Sequence, residues 1–129
     1  MAKQSIFSKV GSVSRRILGD LFEQKALKFL KKQGFKLLAA NFTVRGGEVD
    51  LVMLDGQYLV FIEVRYRSDD AWVGSVESID ESKQRRIIRA AEHFRKQFAQ
   101  YNDLQVRFDA VCFDGNRPIN WIRNAFQVQ

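Results

Sequence analysis

Apolar residues recur at three- and four-residue spacing in Leu18, Leu21, Phe22, Ala26, Phe29 and Leu30, and Gly34 is placed to end the run. That period predicts a helix over Leu18–Gln33 with one buried face. Lys25, Lys28, Lys31 and Lys32 lie mainly on its other face. Glu23, the only acid after Asp20 in this segment, sits at the border of the apolar stripe, about one hundred degrees around from Phe22. A short strand over Phe35–Leu38 follows.

After Gly46-Gly47 the pattern changes. Glu48–Leu54 and Leu59–Arg67 are rich in Val, Ile, Leu and Phe and are separated by Asp55-Gly56, which predicts a β-hairpin. Ser68–Ile79 is a loop carrying Trp72. A second helix over about Asp80–Gln100 buries Ile87, Ile88, Ala91, Phe94 and Phe98, with Ser78 and Glu81 spaced as a capping box. Strands over Val106–Phe113 and Ile119–Ile122 complete the order α-β-β-β-α-β-β. One mixed α/β domain over residues 17–129 is expected, with its β-sheet flanked by helices.

Composition narrows the class. With 129 residues, 46% of them hydrophobic, and eleven Phe, the chain builds a core without disulfides. The longest apolar runs, Leu37–Ala40, Leu51–Leu54 and Tyr58–Ile62, fall far short of the roughly 20 residues that span a bilayer. The single Cys112 forms no internal bridge and no Cys-based zinc site, which suits a reducing, cytoplasmic setting. Residues 1–16 hold four cations, four serines and no acid, without the apolar block of a secretory signal, and are expected to be a flexible basic arm.

Charge is uneven. The net charge is +6, yet residues 1–47 carry ten Lys/Arg against two acids, whereas residues 48–129 carry eleven against thirteen. A basic half beside an acid-bearing half suits a metal-dependent enzyme acting on a polyanion, although many small basic proteins bind nothing in particular.

The hairpin holds the candidate chemistry. Strand alternation puts Glu48 and Asp50 on one face and Val49, Leu51 and Met53 on the other. On the partner strand Glu63, Arg65 and Arg67 share a face, opposite Ile62, Val64 and Tyr66. A four-residue loop, Asp55–Tyr58, pairs Leu54 with Leu59 and sets Asp50 across from Glu63. A two-residue loop instead sets Asp50 across from Phe61, with Glu63 as its diagonal neighbour. Either brings both carboxylates within reach of one ion.

Facing like charges destabilise a sheet, and ionised carboxylates in apolar strands are costly. A divalent cation removes both penalties. Oxygen-only ligands favour Mg²⁺ or Mn²⁺, with the Val64 carbonyl as a third candidate ligand. The competing reading is an ion-pair ladder in which Arg65 or Arg67 neutralises the acids, and spacing alone leaves both open.

These residues resemble a known pattern. Glu23 on the first helix, GEVDLV at Gly47–Val52 and FIEVRYR at Phe61–Arg67 resemble restriction-endonuclease-like nucleases, which carry a helix carboxylate, a strand acid after a glycine turn, and Glu-x-Lys on the next strand. The chain is more closely similar to the YraN-like family of small bacterial proteins, assigned to that fold. The similarity rests on LGDLFEQKAL, GEVDL and FIEVRYR, on Lys83, and on VRFDAV at Val106–Val111, and it covers almost everything from Leu18 onward. It implies a restriction-endonuclease-like fold, a site of Glu23, Asp50 and Glu63 with the Val64 carbonyl around Mg²⁺ or Mn²⁺, and DNA as partner.

One position departs from the nuclease pattern. Arg65 stands where the pattern has lysine, and arginine stays protonated whereas a buried lysine can serve as a base. Arg65 can still hold a phosphate through paired hydrogen bonds. On the second helix, Lys83, Arg85 and Arg86 occupy the first two turns, where free N–H groups welcome anions; a solvated face paired with Asp80 and Glu81 is the plainer alternative. Lys83 and Gln84 precede the apolar stripe by one and two turns, a placement that aims them at the hairpin.

Other residues weigh less. His93 stands alone and reads as a surface or partly buried histidine, and Cys112 as a small core residue. Asp109 either supports the site from behind or pairs with Arg107. Trp72 either stacks on a base or packs beneath its loop.

Two functions follow. One is a metal-dependent nuclease cutting phosphodiesters in DNA, branched or otherwise non-standard structures included. Its metal residues are Glu23, Asp50, Glu63 and Val64, its catalytic residues Asp50, Glu63, Arg65 and Lys83, and its backbone contacts Lys28, Lys31, Lys32, Arg67, Arg85 and Arg86. The other is a nucleic-acid-binding or adaptor protein that keeps the fold without efficient cleavage.

Overall fold

Five strands in the spatial order β1-β2-β3-β4-β5 form one sheet in a computed structural model that describes residues 13–67 and 79–128. In chain order the elements are α1 (Val13–Lys32), β1 (Lys36–Val44), β2 (Gly47–Asp55), β3 (Tyr58–Arg67), α2 (Glu81–Gln97), a 3₁₀ turn (Ala99–Tyr101), β4 (Gln105–Asp114) and β5 (Asn120–Ile122). The order is the one the sequence predicts. β1, β2 and β3 form an antiparallel meander, α2 crosses over to deliver β4 parallel to β3, and β5 pairs antiparallel with β4. The sheet is therefore mixed.

Two apolar layers hold the helices on. Phe42, Val52, Leu59, Phe61 and Phe108 pack with Ile87, Ala90, Ala91 and Phe94 of α2. Leu51, Met53, Val60, Ile62, Val111 and Phe113 pack with Ala26 and Leu30 of α1. Among the described residues, no helix is long and apolar enough to cross a membrane.

Three elements differ from expectation in ways that bear on the site. α1 starts at Val13 rather than Leu18 and takes in the last four residues of the expected arm; residues 1–12 lie outside the described residues. β1 runs to Val44, six residues past the predicted end, because pairing with β2 imposes extended structure on Ala39, Ala40 and Asn41, which favour it weakly by themselves. α2 is capped by Asp80, whose carboxylate accepts the Lys83 N–H at 2.8 Å, where the sequence suggests a Ser78–Glu81 box. Ser78, like Trp72, lies outside the described residues.

One close approach fixes α2 against the hairpin. A Cβ on Gly47 would lie 2.7 Å from the Arg86 carbonyl and 2.8 Å from the Ala90 nitrogen, both helix backbone that cannot swing aside. Gly47→Ala should therefore push α2 off β2 and cost about 1–3 kcal/mol in denaturant unfolding. A variant as stable as the wild type would show that the helix has room to move.

Candidate functional site

The hairpin register decides where the carboxylates meet. β2 and β3 pair as Leu54↔Leu59 and Leu51↔Ile62, the first of the two alternatives, and Asp55↔Tyr58 closes the ladder so that Gly56–Gln57 turns the chain rather than Asp55-Gly56. One step beyond Leu51↔Ile62, the same register sets Asp50 across from Glu63. There the ladder ends: the Asp50 carboxylate, not the β2 backbone, accepts the Val64 N–H at 2.7 Å. Asp50 and Glu63 also share a side-chain hydrogen bond.

The expected alternation on β2 does not hold through this point. Val49 packs with the α2 layer, Leu51 with the α1 layer and Val52 with the α2 layer again, so Val49 does not share a face with Leu51 and Met53. β1 breaks in register with it, since Ala40 packs on the α1 side and Phe42 on the α2 side. Between them Asn41, which falls across from Asp50, has φ +53°. The break opens Asp50 to both helices at once: its charge is felt by Glu23 on α1 and by Lys83 on α2.

Lys83 reaches the site as its spacing predicts. Its Nζ lies 3.1 Å from Glu48 Oε2 and 3.8 Å from Glu63 Oε1. The cation that closes on the acids is thus Lys83, while Arg65 lies near enough for its charge to act weakly on Glu63. Arg86 Nη2 holds the other oxygen of Glu48 at 3.3 Å. Gln84 turns away from the hairpin and donates to the Ile79 carbonyl at 2.6 Å.

Glu63 remains incompletely satisfied. Its side chain is 10% exposed, and Oε1 is buried without a hydrogen-bond partner. Burial first, and the Asp50 charge second, push its carboxyl up to about 8; the same two causes push Glu23 up to about 8. Burial also raises Asp50, against the Val64 N–H. Glu48 moves the other way, because Lys83 and Arg86 together outweigh its desolvation. Desolvation pulls Lys83 down, but Glu63, Asp50 and Glu48 more than reverse it, so the ammonium stays charged.

A carboxyl raised on folding binds its proton more tightly in the native state. Its contribution to stability is whole below the ordinary value of 4.5 and is lost as pH rises through about 8. Without metal, the melting temperature should fall from pH 6 to pH 9, and less steeply in Glu63→Gln. A flat profile in the wild type would contradict the burial of these carboxylates.

These groups fit a hard cation. Two carboxylates share a hydrogen bond that costs one of them its ionisation, and a buried carboxylate oxygen lacks a donor. Among the described residues, no three His, Cys, Asp or Glu side chains are drawn together at metal-ligand spacing; Asp50 and Glu63 form the close pair, and the Asp50 charge is felt by Glu23.

The remaining predicted residues spread over both faces of the sheet. Lys28, Lys31 and Lys32 on α1 line a cavity of about 370 Å³ with Gln24 and Leu27. Arg85 and Arg86 on α2 line another of about 450 Å³ with Arg89. The Arg67 carbonyl accepts the Gly115 N–H at 3.0 Å. His93 is exposed and Cys112 is fully buried beside Ala110 and Ile79, as expected. Asp109 belongs to the Arg107 alternative: Arg107 Nε and Nη2 each reach it at 2.9 Å, Trp121 Nε1 donates at 3.0 Å and the Asn124 N–H at 2.9 Å. Asn41, which falls across from Asp50 with positive φ, was missed by sequence reasoning. An asparagine interrupting an otherwise apolar strand was its only signal.

Comparison with known proteins agrees with the motif resemblance. UPF0102 proteins of Pseudomonas putida KT2440 and Pseudomonas syringae pv. tomato DC3000 are each 43% identical to this chain, covering 84% and 88% of it and 91% and 94% of their own lengths. The UPF0102 protein of Stutzerimonas stutzeri A1501 is 44% identical over 84% of this chain and 93% of its own. Among solved structures, Hjc of Archaeoglobus fulgidus, a Holliday junction resolvase, superposes with a TM-score of 0.47 at 16% identity, covering 79% of this chain and 72% of that one. The family profile matches residues 22–113, from α1 through β4 and so across every residue of the site, and the chain belongs to the uncharacterised protein family UPF0102.

Proposed function

We propose that this protein is a divalent-metal-dependent nuclease acting on DNA in the cytoplasm. The observation that carries the reading is Glu63: a buried carboxylate oxygen with no donor, set against a second carboxylate, is a cost that a cation at that point would remove. Asp50, Glu63 and the Val64 carbonyl would hold the metal, with Glu23 completing the set. The Val64 N–H points to the β2 side, and in an extended strand the carbonyl of the same residue points the same way, toward the place where the ladder has opened. Mg²⁺ or Mn²⁺ bound there supplies Lewis-acid stabilisation of a phosphoryl oxygen and lowers the pKa of water.

The protein's own groups supply the rest. Lys83 stays protonated, so it acts as a fixed positive charge on the scissile phosphate rather than as a base. Its distance from Glu63 gives the site a lysine that the Glu63-Val64-Arg65 triplet lacks. Glu48 and Arg86 hold Lys83 in place from the open side. Arg65 adds a second cation for the phosphate, and Lys28, Lys31, Lys32, Arg67, Arg85 and Arg86 hold the flanking backbone. Arg65 in the lysine position also favours a second reading, a DNA-binding adaptor that has lost efficient cleavage.

The discriminating experiment incubates the protein with linear, flapped and four-way DNA in Mg²⁺ or Mn²⁺. The nuclease reading expects metal-dependent cleavage of at least one of them, and binding that weakens steeply with salt. Salt-sensitive binding with no cleavage in either metal supports the adaptor instead.

A further inference from the structure

Ser82, Arg85, Arg86, Arg89 and Glu92 follow one another along α2 at three- and four-residue intervals, on the face opposite the buried Ile87, Ala91 and Phe94. With Gly46, in the turn between β1 and β2, they line a cavity of about 450 Å³. A Cβ on Gly46 would lie 3.0 Å from Arg89 Nε, so the turn gives the groove a bare wall beside that guanidinium. Arg89 Nε donates to the Arg45 carbonyl at 3.0 Å, which uses one of its five donors and holds the other four at the cavity wall. Arg85 meets Glu81 at 3.8 Å with both side chains mostly exposed, a pair that neutralises little. Among the described residues the lining therefore carries three arginines against one acid, Glu92. The groove also adjoins the candidate site. Arg86 Nη2 lies 3.3 Å from one oxygen of Glu48, whose other oxygen lies 3.1 Å from Lys83 Nζ.

We infer that this groove seats the DNA backbone phosphates next to the scissile bond, with Arg89 as the anchor and the Gly46 turn as the wall. The inference rests on the DNA reading above and not on the metal. Planar guanidinium forks take phosphate oxygens in pairs, and a fork already fixed by a backbone carbonyl loses less freedom on binding. The first turn of α2, where Ser82 lies, adds the positive end of the helix dipole. Glu92, one turn beyond Arg89, sets a like charge at the far end, so the strand is drawn toward Lys83 rather than along the whole helix.

The test is binding of a short fluorescent DNA duplex without divalent metal, read by anisotropy over a series of KCl concentrations, with the melting of each variant measured alongside. Arg89→Gln and Arg85→Gln should each lower the slope of log affinity against log salt by about 0.9 and weaken binding about five- to tenfold at about 0.1 M salt. Lys36→Gln removes an exposed cation at the end of β1 away from the Gly46 turn, and should stay within about twofold of wild type. The Arg85 side chain is 71% exposed, so its variant keeps the test open even where Arg89→Gln loosens the turn at Arg45. Wild-type affinity in both arginine variants would overturn the inference. So would a loss at Arg85 with none in a folded Arg89→Gln, or a loss in Lys36→Gln equal to theirs, since net charge alone would then be read. A wild type whose duplex binding does not respond to salt overturns the DNA reading and this inference together.

Discussion

Glu63→Gln should lower metal-dependent DNA cleavage by about two to three orders of magnitude or more while leaving the fold intact. Glutamine keeps the size of the side chain and removes the charge that would hold the metal. Near neutral pH the metal-free protein should be nearly unchanged in stability, because Glu63, raised to about 8, already carries a proton there. At pH 9 the variant should be the more stable of the two, since the wild type must then ionise Glu63 against Asp50. Cleavage assays and melting curves at both pH values test each part. A glutamine variant that cleaves like the wild type would remove Glu63 from the mechanism.

Asp109→Ala should produce the largest loss of stability for a single side chain, about 3–5 kcal/mol. Its carboxylate is fully buried and accepts four hydrogen bonds from Arg107, Trp121 and Asn124. Removing it leaves a nearly buried guanidinium with Asp55, at 3.0 Å, as its one remaining carboxylate among the described residues, and frees the segment after β4 that Trp121 and Asn124 anchor. A fall in melting temperature of about 10 °C or more is the expected result. Cleavage per folded molecule should be unaffected, because Asp109 lies within its own network rather than among the hairpin acids. A loss below about 1 kcal/mol would show that the network is not holding the C-terminal segment.

The parts of this fold that periodicity controls were legible in the sequence. The apolar stripe of α2 fixed the face that packs on β2, and from it the direction of Lys83 followed. The repeat of Leu, Val, Ile and Phe over β2 and β3 defined the hairpin, and the register that faces Asp50 with Glu63 was one of two that even loop lengths allow. What alternation could not carry was its own interruption. A strand pattern assumes that side chains change face at every residue, whereas Asn41 and Asp50 sit where two paired strands turn over together. For that reason Val49 packs on the α2 side, away from Leu51 and Met53, although simple alternation groups the three. The balance of cations was legible only in part: the ion-pair reading rests on Arg65 and Arg67, neighbours of Glu63 in sequence, but Lys83, twenty residues on, lies 3.8 Å from it. The packing of α2 on the sheet, close at Gly47, brings that pair together.

The central claim is that Asp50 and Glu63 face each other for a cation rather than for a structural ion pair. The direct measurement is the melting temperature of wild type, Asp50→Asn and Glu63→Gln with and without millimolar Mn²⁺, repeated with a short DNA duplex present because Mg²⁺-type sites draw part of their shell from phosphate. A ligand that binds only the folded state stabilises it in proportion to the logarithm of its concentration over Kd. The account predicts that Mn²⁺ raises the melting temperature of the wild type, that both variants lose most of that increment, and that both are at least as stable as the wild type without metal at pH 9. A wild type unmoved by Mn²⁺ with or without duplex, together with variants destabilised in the absence of metal, would contradict it and leave the pairing with Lys83 as the reason these carboxylates meet.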